Sequence, residues 1–170
     1  MVHSWGMTEL APVGTVARLP ARLADAAPDL RYKLRVRQGT PLPFIEVRAR
    51  NQNGLIPWDD QAMGELEVRG PWIAAGYHNQ DEEAGRWTAD GWFRTGDVVT
   101  IDTHGYVKIT DRIKDLIKSG GEWISSVDLE NALAGHPKVA EAAVIAVPDP
   151  KWGERPLAVV VLKPGQSATQ

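Results

Sequence analysis

Apolar and polar residues alternate along the middle of this chain with a period of two. Tyr32-Lys-Leu-Arg-Val-Arg-Gln38 alternates, and so does Phe44-Ile-Glu-Val-Arg-Ala-Arg50 after the turn Gly39-Thr-Pro-Leu-Pro43. Such runs predict half-buried strands. Asn51-Gln-Asn-Gly54 marks a further turn. Gly64-Glu-Leu-Glu-Val-Arg-Gly70 alternates again, with Leu66 and Val68 on one face and Glu65, Glu67 and Arg69 on the other. Residues 98–102 and 106–110, joined by Thr103-His-Gly105, predict a hairpin. The stretch 32–110 therefore predicts a mostly antiparallel sheet, either a barrel or a layered β subdomain. Upstream, residues 1–12 open on a short strand end that runs into Gly6-Met-Thr-Glu9. Residues 19–27, rich in Ala, Leu and Arg, predict a short helix that Pro28 ends, unless Pro28 opens the next segment.

After Asp111 the pattern changes. Residues 115–119 predict a short strand, Gly120-Gly121 a turn, and the chain resumes at Trp123-Ile-Ser125. Ser125 with Asp128 three residues on resembles a capping box. Leu129 and Leu133 share one helix face, and Gly135-His-Pro137 stops the helix. Residues 139–147 and 157–162, on either side of Pro148-Asp-Pro150, predict two more strands. A hairpin–helix–strand–strand order is an α+β unit. The tail 165–170 is polar and adds no element, and no internal repeat is present. The predicted fold class is α+β: an antiparallel, β-rich, barrel-like part followed by a small α+β domain.

Composition narrows the function classes. The chain has 170 residues, with 43% hydrophobic and 24% charged, as in an ordinary globular protein with a core of its own. A net charge of −3 argues against a nucleic-acid partner, which wants a basic face. No apolar run approaches the roughly 20 residues of a membrane span, and Met1-Val-His-Ser-Trp5 lacks the basic start and apolar stretch of a secretory signal. Without cysteine there is no disulfide and no thiolate metal site, which fits a cytoplasmic protein. His3, His78, His104 and His136 show no metal-ligand spacing. Neither a nucleophile elbow nor a Walker-type phosphate loop occurs. Seven tryptophans read as large core and rim side chains.

Four segments carry candidate chemistry. In Trp5-Gly-Met-Thr-Glu9, the Thr8 hydroxyl and Glu9 carboxylate suit a magnesium ion bridging phosphates, and Trp5 suits stacking on a purine. A capped turn with a buried Trp fits the same residues. Gly64–Pro71 and the segment ending in Gly76-Tyr77 read as structural. Asp97, after Arg94-Thr-Gly96, suits accepting both hydroxyls of a ribose; a turn aspartate bonding its own backbone is the alternative. Arg112, Lys114 and Lys118 would share a face if they lay on one strand, either meeting phosphate and ribose or forming a solvated basic edge. Ser119-Gly-Gly-Glu122 is a turn able to line a narrow channel.

Taken in order, Trp5–Glu9, Gly64–Gly70, Phe93-Arg-Thr-Gly-Asp97 and Asp111-Arg-Ile-Lys-Asp-Leu-Ile-Lys-Ser-Gly-Gly-Glu122 resemble the motifs of the acyl-adenylate-forming superfamily of acyl-CoA synthetases, luciferases and peptide-synthetase adenylation domains. The wording Ser119-Gly-Gly-Glu-Trp-Ile-Ser125 is most similar to medium- or long-chain fatty acyl-CoA synthetases. That resemblance implies activation of a carboxylic acid with ATP and Mg2+ to an acyl-AMP, then transfer to the thiol of coenzyme A. It puts Trp5 and Gly6 at the adenine and acyl pocket, Thr8 on phosphate, Glu9 on the metal, Asp97 on the ribose and Arg112 beside it. It makes Lys114 a hinge and places Lys118, Gly120, Gly121, Glu122 and Trp123 at a pantetheine tunnel. A lipid substrate would bring peripheral membrane contact. Residues 1–112 would end a large AMP-binding domain and 113–170 would begin a small C-terminal one. The family's phosphate loop lies upstream of its Gly-Met-Thr-Glu segment, and only four residues precede Trp5 here; its catalytic lysine lies near the C-terminus, and no lysine follows Lys163. The expectation is a segment inactive on its own. Aryl-CoA ligases, other adenylation enzymes and a non-catalytic nucleotide-binding module are the alternatives.

Overall fold

Most of the alternating segments do become strands, but the faces they bury are not always the apolar ones. A computed structural model describes residues 2–78 and 85–168. The chain divides into two compact units between Ile109 and Thr110, and each is described by itself.

In the first unit, β1 (Ser4–Gly6), β2 (Val13–Val16) and β3 (Thr40–Pro41) make a three-stranded antiparallel sheet. A second sheet holds β4 (Glu46–Asn51), β5 (Gly54–Leu55), β6 (Gly64–Arg69), β7 (Phe93–Ile101) and β8 (Val107–Arg112), in the order β5-β4-β6-β7-β8. Neither sheet closes on itself, so the barrel-like expectation gives way to two open sheets. The core gathers Trp5, Leu10, Leu66, Val68, Phe93, Val99, Ile101 and Val107. The expected hairpin between β7 and β8 forms, and Asp102 sets its turn by accepting the backbone N–H of His104 and of Tyr106, each at 2.9 Å.

Three local expectations are corrected. Residues 32–38 are not a strand: Pro28–Arg35 is helix α1, with Pro28 at its start, where a missing N–H costs nothing. The alternation misled because only Leu34 of the apolar set is buried; Tyr32 and Val36 face solvent. The predicted helix over 19–27 reduces to a single 3-10 turn, Ala21–Leu23. The charged face of β6 is not solvated either. Glu65 and Glu67 are both buried. Glu67 accepts from Arg48 Nε at 2.5 Å, and Glu65 accepts from Arg94 Nε at 3.0 Å. A buried carboxylate persists only when paired and hydrogen-bonded, so these arginines are the reason β6 can hide both faces. Arg48 and Arg69 also lie over the Trp92 ring, 4.3 and 4.6 Å from its centroid.

Helix α1 is tied down through charge. Arg37, two residues past its end and almost fully buried, donates to Asp60 at 2.6 Å; Lys33 reaches the same oxygen at 2.8 Å, and Asp102 stands 3.6 Å from Arg37. Lys33, Arg37 and Asp60 line a cavity of about 290 Å3 with Val36 and Lys108.

The second unit carries β9 (Ile117–Ser119), β10 (Glu122–Ile124), helix α2 (Ser126–Ala134), β11 (Val139–Asp149) and β12 (Gly153–Leu162), with sheet order β10-β9-β12-β11. The expected strand at 115–119 is shorter than predicted, because 113–115 turn. Gly120 and Gly121 have φ of 59° and 86°, as a two-residue hairpin turn of type I′ requires. The helix start is as predicted: the Ser125 side chain accepts from the Asp128 N–H at 3.1 Å. Glu130 of α2 accepts the Val144 N–H of the edge strand β11 at 2.9 Å. On β12, Leu157, Val159 and Val161 stay exposed. Residues 163–168 add no element, and the last two residues of the predicted polar tail lie outside the described residues. Among the described residues no helix is long and apolar enough to cross a membrane.

The Arg37 guanidinium, with Lys33, holds the Asp60 carboxyl well below the usual carboxylate range. A depressed carboxylate stabilises the fold above its unfolded pKa of about 4, and that contribution is lost as pH falls toward the folded value. Asp60→Asn is expected to lower the unfolding free energy by about 1–3 kcal/mol at neutral pH. The gap to the native chain should narrow as pH falls below about 4. Urea titrations of both proteins from pH 7 to pH 2.5 measure this, and a gap independent of pH would contradict it.

Candidate functional site

The segment Thr95-Gly96-Asp97 does not continue the ladder that flanks it. Glu65 of β6 pairs with Val98 of β7, and Glu67 pairs with Arg94, so Leu66 alone faces Thr95, Gly96 and Asp97. This is a β-bulge with two extra residues, a device that re-aims side chains and interrupts pairing. Gly96 supplies its left-handed step with φ of 78°. Thr95 repairs the ladder with its side chain: Oγ1 donates to the Leu66 carbonyl at 2.8 Å and accepts the Asp97 N–H at 3.1 Å. Asp97 thereby leaves the strand register yet stays buried, 5% exposed.

Trp5 meets it there. The Trp5 indole N–H donates to Asp97 Oδ2 at 2.7 Å across 92 residues of sequence, joining the three-stranded sheet to the five-stranded one. Trp5 is 8% exposed, so little of its ring face is open to a base. Gly6 follows at the end of β1, where a Cβ would fall 1.8 Å from the Pro12 carbonyl oxygen; no other residue fits.

Thr8 and Glu9 open a single 3-10 turn, Thr8–Leu10, with Leu10 buried beneath it. Thr8 is exposed and Glu9 half-buried. Glu9 Oε1 accepts from the Tyr77 hydroxyl, and the Glu9 carbonyl accepts the Ala74 N–H at 2.8 Å. Tyr77 in turn packs edge-on against Trp87, and Trp87 against Phe93 of β7. Sequence reasoning read the segment ending at Tyr77 as purely structural and so missed this partner of Glu9. Its only signal was a tyrosine after a glycine. Among the described residues no group of three or more His, Asp or Glu gathers as a ready-made cation cage. A single carboxylate beside an exposed hydroxyl fits Mg2+ that draws most of its ligands from phosphates and water.

The remaining candidates lie in the second unit. Arg112 ends β8, Lys114 sits in the turn that follows and Lys118 on β9. The three therefore do not share one strand face as expected, because the chain turns between them. Arg112, Lys114 and Lys118 are all exposed. The Lys118 N–H donates to Glu154 at 2.7 Å. Gly120 donates to the Trp152 carbonyl at 2.8 Å and lies so close to the Trp152 ring that a Cβ would come within 2.7 Å of it. Gly121 and Glu122 are exposed at the hairpin tip, with Trp123 half-buried on β10. Asp111 is a further residue that the sequence did not single out by role. Its buried carboxylate accepts the Ser126 N–H at 2.7 Å and the Ser126 hydroxyl at 2.9 Å, while Ser125 Oγ donates to the Thr110 carbonyl at 2.8 Å. An acid at a helix N-terminus satisfies donors that the helix leaves open, and here it fastens α2 to the strand leading into the Arg112–Lys118 segment.

Comparison with known proteins identifies the family. Residues 1–78 match the AMP-binding enzyme family, and residues 128–170 match the AMP-binding enzyme C-terminal domain. The structure resembles o-succinylbenzoate CoA synthetase from Bacillus subtilis in complex with the acyl-adenylate intermediate OSB-AMP. That likeness has a TM-score of 0.76 and 31% identity, over 98% of this chain and 32% of that one. The fold is that of the adenylate-forming enzymes it resembles, and the chain belongs to the AMP-binding enzyme family. Within that family it is 51% identical over 161 residues to the long-chain-fatty-acid–CoA ligase of Thermus thermophilus, covering 94% of this chain and 30% of the relative. It is 45% identical over 170 residues to the medium-chain-fatty-acid–CoA ligase of Ectopseudomonas oleovorans, covering 99% of this chain and 31% of the relative. The chain spans about 30% of the length of the curated relatives it matches.

Thr95→Val would leave the Leu66 carbonyl and the Asp97 N–H without their partner while keeping the shape. Two unsatisfied buried groups should cost about 2–4 kcal/mol. Urea unfolding of the chain measures the loss, and an unchanged midpoint would show that the bulge does not need this hydroxyl.

Proposed function

We propose that this chain is the part of an AMP-forming fatty acid–CoA ligase that closes on the nucleotide and joins the large domain to the small one. The enzyme activates a carboxylic acid with ATP to an acyl-AMP, releasing pyrophosphate, and passes the acyl group to the thiol of coenzyme A. The observation that carries the reading is the Thr95-Gly96-Asp97 bulge, which holds a buried carboxylate off the ladder in a chain similar to fatty-acid–CoA ligases.

In this reading the Asp97 carboxylate accepts the ribose hydroxyls, with Arg112 beside them. Thr8 contacts phosphate and Glu9 holds Mg2+, whose charge would neutralise the phosphate oxygens as pyrophosphate leaves. Trp5 and Gly6 border the adenine and acyl pocket. Residues 1–112 complete the large domain and 113–170 begin the small one. Lys114, exposed in a turn, is the hinge, since a few φ/ψ changes suffice for domain rotation. The hairpin from Lys118 through Gly120, Gly121 and Glu122 to Trp123 lines the pantetheine path, where glycine lets backbone and thiol arm come close. The enzyme works in the cytoplasm and touches membrane only at its periphery, through a lipid substrate. The similarity to fatty-acid ligases favours an aliphatic acid over an aromatic one.

Two measurements test this. The parent reading frame, purified and given ATP, Mg2+, CoA and acids of two, eight and sixteen carbons or cinnamic acid, should release AMP and favour the eight- or sixteen-carbon acid. A strong preference for the aromatic acid would overturn the fatty-acid assignment. Asp97→Asn in that enzyme should raise the KM for ATP roughly tenfold or more, the worth of one or two charge-assisted hydrogen bonds. The 170-residue chain alone should form no acyl-CoA.

A further inference from the structure

We infer that Trp5 is a positioning residue for Asp97: its indole N–H holds the carboxylate in the one rotation that presents both oxygens to the ribose diol. The inference rests on the reading of Asp97 as the ribose acceptor and adds what makes that acceptor selective.

The argument starts from the bulge. An aspartate within a regular ladder has its backbone fixed by cross-strand bonds on both sides, but Asp97 lies where Leu66 alone faces three residues. Its N–H is held by Thr95 Oγ1, which sets where the Cα sits and says nothing of the carboxylate plane. The terminal torsion of aspartate is broad and two-fold, so this plane turns easily unless something bonds to it. The Trp5 indole N–H does so, at 2.7 Å to Oδ2. A buried indole needs a partner for its one donor, and a charged acceptor makes the bond short and directional.

Trp5 itself cannot swing. It lies in the core cluster with Leu10 and Phe93. Opposite it, β2 carries an irregular step between the partners of Trp5 and Gly6, and that step contains Gly14. A Cβ on Gly14 would stand 2.6 Å from the Trp5 ring and 2.5 Å from Leu10, so the ring fills the space that this glycine leaves. The chain of constraint therefore runs from Gly14 to the Trp5 ring, to the indole N–H, to Asp97 Oδ2. Each carboxylate oxygen has two lone-pair sites, so Oδ2 can keep the indole bond and still accept a ribose hydroxyl while Oδ1 accepts the other. A phenylalanine at position 5 would fill the same core and lose only the donor.

The test uses the parent ligase as native enzyme, Trp5→Phe, Asp97→Asn and the double variant, assayed by pyrophosphate exchange with ATP, 2′-deoxy-ATP and 3′-deoxy-ATP. Trp5→Phe should raise the KM for ATP about tenfold, the equivalent of one charge-assisted hydrogen bond, and leave kcat nearly unchanged. The preference for ATP over the two deoxynucleotides should fall to the level of Asp97→Asn, and the double variant should be no worse than Asp97→Asn alone. If Trp5→Phe keeps its ribose preference, whatever happens to its thermal stability, Trp5 is only a core residue and the inference is wrong. If Asp97→Asn keeps that preference, the ribose assignment fails first and takes the inference with it. Should Trp5→Phe not fold, the bond can be read directly in the 170-residue chain: one tryptophan indole N–H signal in the nitrogen–proton NMR spectrum should move upfield in Asp97→Asn. If none moves, the bond is absent and the inference falls.

Discussion

A carboxylate buried among β-strands must be bonded, and around Asp97 the first unit is organised to meet that requirement. Desolvating Asp97 would cost several kcal/mol without partners. The interruption opposite Leu66 frees it from the ladder. Thr95 takes over the ladder bond, and Trp5 supplies a donor from another sheet. Remove any one of these and the others lose their purpose: a bulge without the acid is a defect, and an indole without the acid is a buried unsatisfied donor.

The same physics recurs nearby. Glu65 and Glu67 are buried on the strand beside the bulge, each closed by an arginine from a neighbouring strand. Arg94, which closes Glu65, immediately precedes Thr95, so the residue anchoring β7 to β6 stands at the last paired position before the interruption. Ion pairing here fixes where the ladder stops rather than adding much net stability. In the second unit Asp111 has the corresponding part, bonding the start of α2 to the strand that leads into the Arg112–Lys118 segment.

Local grammar explains which features the sequence made legible. The strands β4 and β6, the second half of β7 and the Ser125 cap follow from neighbours two to four residues apart, so pattern alone finds them. Helix α1 was misread because Tyr32, Leu34 and Val36 imitate a period of two, although only Leu34 is buried and Pro28 was free to open a helix. The buried face of β6 could not be seen, since Glu65 and Glu67 look solvated until Arg48 and Arg94 are known to lie across from them. Of the site, the residues were named by their resemblance to family motifs, but their geometry was invisible. Thr95-Gly-Asp97 reads as a turn and is a bulge, Tyr77 reads as filler and bonds Glu9, and nothing local links position 5 to position 97.

That last separation has a consequence in time. A ribosome adds roughly 5–20 residues per second. The 92 residues between Trp5 and Asp97 therefore delay the carboxylate by roughly 5–20 s after the indole has been made. Strand β1 can pair with β2 long before then, but it presents an unanswered indole to the solvent or to a chaperone. The corner where Trp5 meets Asp97 is thus among the last parts of this unit to mature. A nascent chain stalled before residue 97 would hold the residues of a three-stranded sheet without that corner.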